Sequence, residues 1–140
     1  MVVIGVDPDS KAHGVAVYVD GKLDSLHMLE AMPLVQMAKY NQALVSMEDV
    51  KANKFIYARN VQSKKAVQSK IAIKVGQCQQ AQTELMRLLD WHKVPYVLHK
   101  PQKGNWAKNK DQFELVTKWD GRSNEDTRAA AYFGFLGLKQ

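Results

Sequence analysis

The apolar positions at the start of the chain predict three consecutive strands. Residues 2–6 form a continuous apolar run that ends at the turn-prone residues 7–10, as in a strand buried on both faces. Residues 15–19 form a second apolar run, and Asp20-Gly21 is a dipeptide suited to a tight hairpin turn. Residues 22–30 then read as the returning strand. We therefore expect the domain to begin with three antiparallel strands.

The rest of the chain alternates predicted helices and strands. A long helix is predicted because apolar residues recur every three or four positions between Val67 and Leu88, and we expect this face to be buried. The other predicted elements are a short helix from Pro33 to about Tyr40, strands at 44–47 and 94–98, and helices over 111–119 and 124 to about 136. A meander followed by helical crossovers predicts an α/β fold with a five-stranded mixed sheet and helices on both faces.

Composition fits one globular nucleic-acid-binding domain over residues 1–140. The chain is 46% hydrophobic and 24% charged, and it lacks an apolar run of the roughly 18 residues that a membrane span needs. With no basic leader before the first strand, we expect a cytoplasmic protein. Cys78 is the only cysteine, which excludes an internal disulfide and a thiolate metal cluster. The net charge of +6 suits a polyanionic partner, although solvated lysines alone also produce such a charge.

Two carboxylates stand at predicted strand ends. Asp7 closes the first strand and Glu48 the fourth, and strand carboxyl ends are where open α/β sheets place their ligand sites. If these strands are neighbours, both side chains enter one crevice, where Mg²⁺ or Mn²⁺ would relieve their repulsion. Two such ions promote phosphodiester hydrolysis. Alternatively, Asp7 only begins the turn at residues 7–10, and Glu48 is a solvated residue at a strand end.

A third carboxylate is expected from the first turn of the last helix, where Glu125 and Asp126 lie. An alternative explanation for Asp126 is a capping box with Ser123, three residues earlier. The three acidic positions taken together, in this order and on these elements, favour a catalytic cluster over three separate structural roles.

Four segments along the chain carry motifs that resemble those of one known family. The segment Ile4-Gly5-Val6-Asp7-Pro8-Asp9-Ser10, with Gly14 on the next strand, resembles the opening of that family. Met47-Glu48-Asp49-Val50 resembles its second acidic strand end, and Lys74-Val75-Gly76-Gln77 resembles its Lys-hydrophobic-Gly-Gln signature. The region 95–106 is similar to the fifth strand and basic loop of phage-borne relatives. Together these segments resemble the RuvC-type Holliday junction resolvases, which are nucleases of the RNase H-like superfamily.

The resemblance implies a homodimer that nicks opposing strands of a four-way DNA junction in the cytosol, with divalent metal held by four carboxylates. Asp7 and Glu48 match the family pattern, and Asp126, with Glu125 as the alternative, takes the third position. The family's fourth acid falls on Ala129, which leaves one metal ligand missing. Rival interpretations are an RNase H-like nuclease that cuts hybrids or flaps, and a catalytically silent junction-binding protein.

Candidate DNA contacts surround these acids. Between Glu48 and the long helix, basic residues alternate with aromatic ones, which suits a groove that follows the backbone and stacks on an unpaired base. The alternatives are that the aromatic side chains lie in the core and that the lysines are only solvated. The candidates are Lys51, Lys54, Phe55, Tyr57, Arg59, Lys64, Lys65, Lys100, Lys103 and Lys108.

Gly76 lies in the middle of the long helix, where glycine costs about 1 kcal/mol relative to alanine. Close packing against the protein's own sheet or against a second subunit would compensate for this cost. The four histidines do not have the spacing of metal ligands, and His99 is the one expected nearest the acidic cluster.

Overall fold

One mixed sheet organises the protein. The computed structural model describes residues 1–52 and 65–139, and for residues 52 and 65–69 it describes the backbone alone. The sheet has the order β3-β2-β1-β4-β5, in which β1 is antiparallel to β2 and parallel to β4. These two pairings confirm the predicted sheet. The strands are β1 Val2–Asp7, β2 His13–Val19, β3 Lys22–Leu29, β4 Leu44–Glu48 and β5 Tyr96–His99.

Helices cover both faces of this sheet, as predicted. Helices α1 and α2 bury Leu34, Leu85 and Leu89 against one face, together with Ile4 and Val45 from the strands. Helix α4 packs on the other face. None of the helices in the described part of the chain is long and apolar enough to cross a membrane. The helices are α1 Ala31–Tyr40, α2 Lys65–Trp91, α3 Lys110–Thr117 and α4 Glu125–Gly137, with 3₁₀ turns at Val50–Ala52 and Trp106–Lys108.

The hairpin between β2 and β3 has the turn that its sequence predicts. Asp20 and Gly21 adopt φ angles of 48° and 83°, so both central residues lie in the left-handed region. Such a two-residue turn has the twist of the flanking strands, which explains the Asp-Gly pair. The hairpin thereby fixes β3 beside β2.

The packing of α4 on the sheet depends on glycine. A Cβ atom at Gly5 of β1 would lie 2.6 Å from the backbone nitrogen of Gly134, and a Cβ atom at Gly134 would lie 2.7 Å from the ring of Tyr18. Because real side chains do not tolerate such distances, both positions require glycine for the observed approach. Helix α4 therefore lies almost directly on the backbone of β1.

The prediction that one apolar face of α2 is buried along its whole length was wrong for the first half of the helix. Leu85 and Leu89 are completely buried, whereas Ile71 is 39% exposed. The reason is that the second half of α2 packs on the apolar sheet face with α1, while Lys74 and Cys78 in the first half border a polar cavity. The spacing of apolar residues identifies the apolar face of a helix. It does not show how much of that face the neighbouring sheet and helices cover.

A buried hydroxyl ties β4 to both neighbouring elements. Ser46 Oγ donates a hydrogen bond to the carbonyl oxygen of Phe133 at 2.6 Å and lies 2.7 Å from His99 Nε2. Because a hydroxyl has one hydrogen, Nε2 of His99 must be the donor in the second bond. Ser46 thus links α4 and β5 two residues before Glu48.

Replacing Ser46 with alanine should destabilise the protein by about 1–3 kcal/mol, because two polar partners lose their hydrogen bond inside the fold. Chemical denaturation monitored by circular dichroism measures this change. Ser25→Ala is the matched control, since within the described residues the Ser25 side chain bonds to His27 alone, on the edge strand β3, and should change stability by less than about 0.5 kcal/mol. Equal losses in both variants would show that the Ser46 network contributes nothing specific.

Candidate active site

Two carboxylates meet at the carboxyl edge of the sheet. Val6 pairs with Met47 in the parallel ladder between β1 and β4, so Asp7 and Glu48, the next residues, end adjacent strands. Both line one cavity of about 260 Å³. The expectation that these strands are neighbours is therefore confirmed. The cavity is lined by Asp7, Pro8, Asp9, Glu48, Val50, Lys74, Val75, Cys78 and Asp126.

Asp126 is the acid that α4 contributes to this cavity. It lies in the first turn of the helix and is half-buried, whereas Glu125 is exposed and is not among the cavity-lining residues. Of the two candidates from the sequence, the structure places Asp126 with Asp7 and Glu48. Ala129, where the resemblance implies a fourth acid, is buried with only 5% of its surface exposed.

The capping box proposed between Ser123 and Asp126 was wrong. The residue that caps α4 is Asn124, whose side chain accepts a hydrogen bond from the backbone N–H of Thr127 at 2.7 Å. The Thr127 hydroxyl in turn accepts from the backbone N–H of Asn124 at 2.9 Å. Asparagine is as good an N-cap as serine, and it begins the helix one residue later. Capping therefore does not explain the position of Asp126.

The acids in the cavity repel one another. Burial, followed by the negative charges of Glu48 and Asp126, raises the pKa of Asp7 to about 8. Burial is also the main reason why the pKa of Glu48 is raised, with the charge of Asp49 adding to it. Burial and neighbouring negative charge both favour the protonated form, and among the described residues no basic side chain forms an ion pair with Asp7 or Glu48. A cation placed between the carboxylates would relieve this cost.

An ion pair that the sequence analysis did not identify borders the same cavity. Lys74 Nζ donates to Asp9 Oδ1 at 2.8 Å and to Ser10 Oγ at 3.2 Å. Burial alone would raise the pKa of Asp9, but the hydrogen bonds from Lys74 and Ser10 and the charge of Lys74 outweigh it and lower the pKa. The Lys74-Val75-Gly76-Gln77 motif was the one sign of this ion pair in the sequence, because it marks Lys74 on the long helix. The structure shows that this lysine faces the turn after β1.

Gln82 supports the strand end that carries Glu48. Its side chain is completely buried, its Oε1 accepts from the backbone N–H of Val50 at 2.7 Å, and its Nε2 donates to Asp49 Oδ1 at 3.0 Å. The backbone N–H of Asp49 also donates to the carbonyl of His99 at 2.8 Å. A buried glutamine on a helix has no distinctive pattern in the sequence, so this support was not predicted.

The donor set suits a hard divalent cation. Asp7, Glu48 and Asp126 offer only carboxylate oxygens, which are the ligands that Mg²⁺ and Mn²⁺ prefer. Within the described residues, no group of three or more His, Cys, Asp or Glu side chains is already arranged to hold a metal ion. Hydrogen bonds that Asp7 shares with Glu48 and Asp126 hold the partly protonated acids together without a cation. The chemistry of the site therefore fits a metal that displaces the shared protons as it binds.

A basic loop follows β5 and returns to α4. Its lysines at 100, 103 and 108 are exposed, while Trp106 is buried against Phe113, Tyr132 and Phe135. Arg128 on α4 donates two hydrogen bonds to the carbonyl of Ala107, at 2.9 and 3.1 Å. The loop is thus fixed at its far end while its cations face solvent.

The remaining DNA-contact candidates precede or begin α2. Lys51 is exposed just after Glu48. Lys54, Phe55, Tyr57, Arg59 and Lys64 lie outside the described residues, as does the side chain of Lys65. Their roles stay predictions. Gly76 is exposed, and no described atom lies within 4 Å of where its Cβ would be, so packing against the protein's own sheet does not account for this glycine.

The strand order, the helices on both faces and the acids at the strand ends define an RNase H-like fold. More narrowly, the fold is that of RuvC. A structure of Thermus thermophilus RuvC in complex with Holliday junction substrate matches with a TM-score of 0.56 and 16% identity over 99% of this chain and 93% of that chain. A second Thermus thermophilus RuvC structure matches with a TM-score of 0.50 and 19% identity over 99% and 94%. No protein-family model matches the chain, and no curated protein matches its sequence.

The raised pKa of Asp7 predicts how stability depends on pH without divalent metal. Between the ordinary value of 3.8 and about 8, the folded protein holds a proton at Asp7 that the unfolded chain has lost. The contribution of Asp7 to stability therefore falls as pH rises through this range and is lowest above it. Urea denaturation in EDTA at several pH values measures the slope.

The Asp7→Asn variant isolates this effect from other titrating groups, because it removes the proton-binding site and keeps the shape of the side chain. It should show a shallower fall in stability with pH than the wild type, and Mn²⁺ should reduce the difference. Identical slopes for the two proteins would contradict the placement of Asp7 among uncompensated charges.

Proposed function

We propose that this protein is a Mg²⁺- or Mn²⁺-dependent endonuclease that cuts four-way DNA junctions by paired nicks. The observation that carries the proposal is the shared cavity in which β1, β4 and α4 each place one carboxylate, Asp7, Glu48 and Asp126. This arrangement lies on the fold of a protein whose structure has been solved with Holliday junction substrate.

The three carboxylates would hold the metal, and Glu125 is too exposed for a direct role at this cavity. Bound divalent metal supplies an activated water and neutralises the charge that develops on the phosphodiester. The chain's own contribution is to fix the ligands on three rigid elements and to bury them partly from water. Lys74 adds a cation at the rim, where it is already held by Asp9.

DNA binding is proposed for the basic loop and the segment after Glu48. Lys100, Lys103 and Lys108 are exposed, as phosphate contacts require, and such contacts orient DNA without reading its sequence. A homodimer would present two cavities, as paired nicks in opposing strands require. The net charge of +6 favours the association with DNA.

A second candidate is a junction-binding protein that has lost its catalytic activity. Ala129 stands where the resolvase pattern has an acid. Among the described residues, no three His, Cys, Asp or Glu side chains are already arranged to hold a metal ion. Both observations would suit a protein that retains only DNA binding. A nuclease that prefers RNA–DNA hybrids or flaps is the third outcome to be tested, because carboxylates do not recognise the shape of a substrate.

The decisive experiment incubates the protein with a labelled four-way junction, a duplex of the same sequence and an RNA–DNA hybrid, each with Mg²⁺, Mn²⁺ or EDTA. We expect metal-dependent, symmetrical nicks in the junction only. Asp7→Asn should slow cleavage by about 100-fold or more, the scale on which removing one charge-stabilising group affects catalysis. Binding of the junction should stay intact or tighten, because one repulsive charge is removed.

Asp24→Asn is the matched control, since Asp24 is exposed on the edge strand β3, and this variant should cut like the wild type. Binding without nicking in either metal would support the silent protein instead, and cleavage of the hybrid would support the related nuclease. Cutting that is unchanged in Asp7→Asn would show that the active site lies elsewhere.

The basic loop makes a separate prediction about affinity. Lys108→Ala should weaken junction binding and reduce the slope of log K against log salt by about 1, the effect of losing one phosphate contact. Fluorescence anisotropy at several salt concentrations measures this slope. Lys39→Ala is the control, because Lys39 is exposed at the end of α1, which precedes the amino end of β4 and so lies opposite the cavity. Equal slopes in both variants would exclude the loop from the DNA surface.

A further inference from the structure

Gly14 lies between the backbones of two of the three acidic residues, Asp7 and Asp126. It is buried on β2, and its Cα pairs with that of Asp7 across the antiparallel ladder. A Cβ atom at Gly14 would meet the backbone of Asp126, 2.6 Å from its carbonyl carbon and even nearer its carbonyl oxygen, and would lie 3.0 Å from its Cβ. The residue opposite Gly14 on β1 is therefore the first acid, and the backbone that packs on Gly14 from α4 belongs to the third.

The other close glycines contact different parts of α4. A Cβ at Gly5 would meet Ala130 and Gly134, and a Cβ at Gly134 would meet Tyr18 and Gly5. These contacts hold the middle of the helix against the sheet. Gly14 alone among the described glycines meets the backbone of a cavity-lining acid.

Reciprocal hydrogen bonds hold the first turn of α4, so we expect a displacement at Asp126 to move its carboxylate with the turn. Asn124 and Thr127 bond reciprocally around this turn, at 2.7 and 2.9 Å. Thr127 is itself buried with 4% of its surface exposed. A methyl group at Gly14 would thus shift the helix start as a unit and not only bend one side chain.

We propose that Gly14 is a positioning residue that sets the separation between the carboxylates of Asp7 and Asp126 by letting α4 rest on the β2 backbone. This inference rests on the proposed function, because it assigns Gly14 a purpose only if the two acids share a metal. Its physical basis is steric: the Asp7–Gly14 pairing fixes one distance, and the contact between Gly14 and Asp126 fixes the other.

The test measures Mn²⁺ affinity by isothermal titration calorimetry, without DNA. Gly14→Ala should bind Mn²⁺ about 10–100-fold more weakly than the wild type, the usual effect of losing a group that orients metal ligands. Asp126→Glu in the wild-type background should also weaken binding, because its longer side chain overshoots. Combined with Gly14→Ala, the same substitution should restore part of the affinity, since the added methylene compensates for the outward shift.

This rescue distinguishes positioning from general loss of packing, which a longer acid would not repair. Gly134→Ala is the matched control, because it also crowds the contact between α4 and the sheet but meets Tyr18 instead of Asp126. Circular dichroism and thermal denaturation establish that each variant is folded at the temperature of the titration.

Three results would overturn the inference: affinity unchanged in Gly14→Ala, equal losses in Gly14→Ala and Gly134→Ala without rescue by Asp126→Glu, or a Gly14→Ala protein that does not fold at all. The last would assign Gly14 to folding and not to positioning. A wild type that neither binds Mn²⁺ nor cuts DNA would instead remove the proposed function, so the two failures are distinguishable.

Discussion

The arrangement of the site depends on how closely α4 approaches the sheet. Glycines at 5, 14 and 134 remove the side chains that would separate the helix from β1 and β2. Helices that pack on sheets through ordinary side chains lie farther away, and an acid in the first turn would then stand apart from the strand ends. The backbone contact therefore does more than fill the core, because it brings a carboxylate from the end of the chain beside one from its beginning.

This packing works against electrostatics. Burial and neighbouring negative charges raise the pKa of Asp7 to about 8, so ionising all three acids costs free energy that the rest of the fold must offset. The apolar core, the buried Gln82 and the Ser46 network hold the elements in place despite that repulsion. Strain of this kind is typical of functional sites, where the fold stabilises an arrangement that its charges oppose.

The sequence predicted the parts of the site that depend on strand order. Asp7 and Glu48 follow apolar runs, and the ends of neighbouring parallel strands must lie at one edge. The capping of α4 by Asn124 was missed because Ser123 is an equally good cap by composition. The Lys74–Asp9 pair and the contact of Gly14 with Asp126 were missed because they join residues far apart in the chain, and no local pattern reports such distances.

An acid at position 129 would be buried and would change the charge of the site. Ala129 is buried with 5% exposure, so a carboxylate there would add a desolvated charge to a site that already raises the pKa of Asp7. The fourth acid that lines the cavity, Asp9, is neutralised by Lys74. Metal binding requires ionised carboxylates. With Asp7, Glu48 and Asp126 all ionised, one divalent cation would leave a single net negative charge among them. In the proposed nuclease a second cation would make the site positive, so its binding should be favoured only together with the phosphate of the DNA.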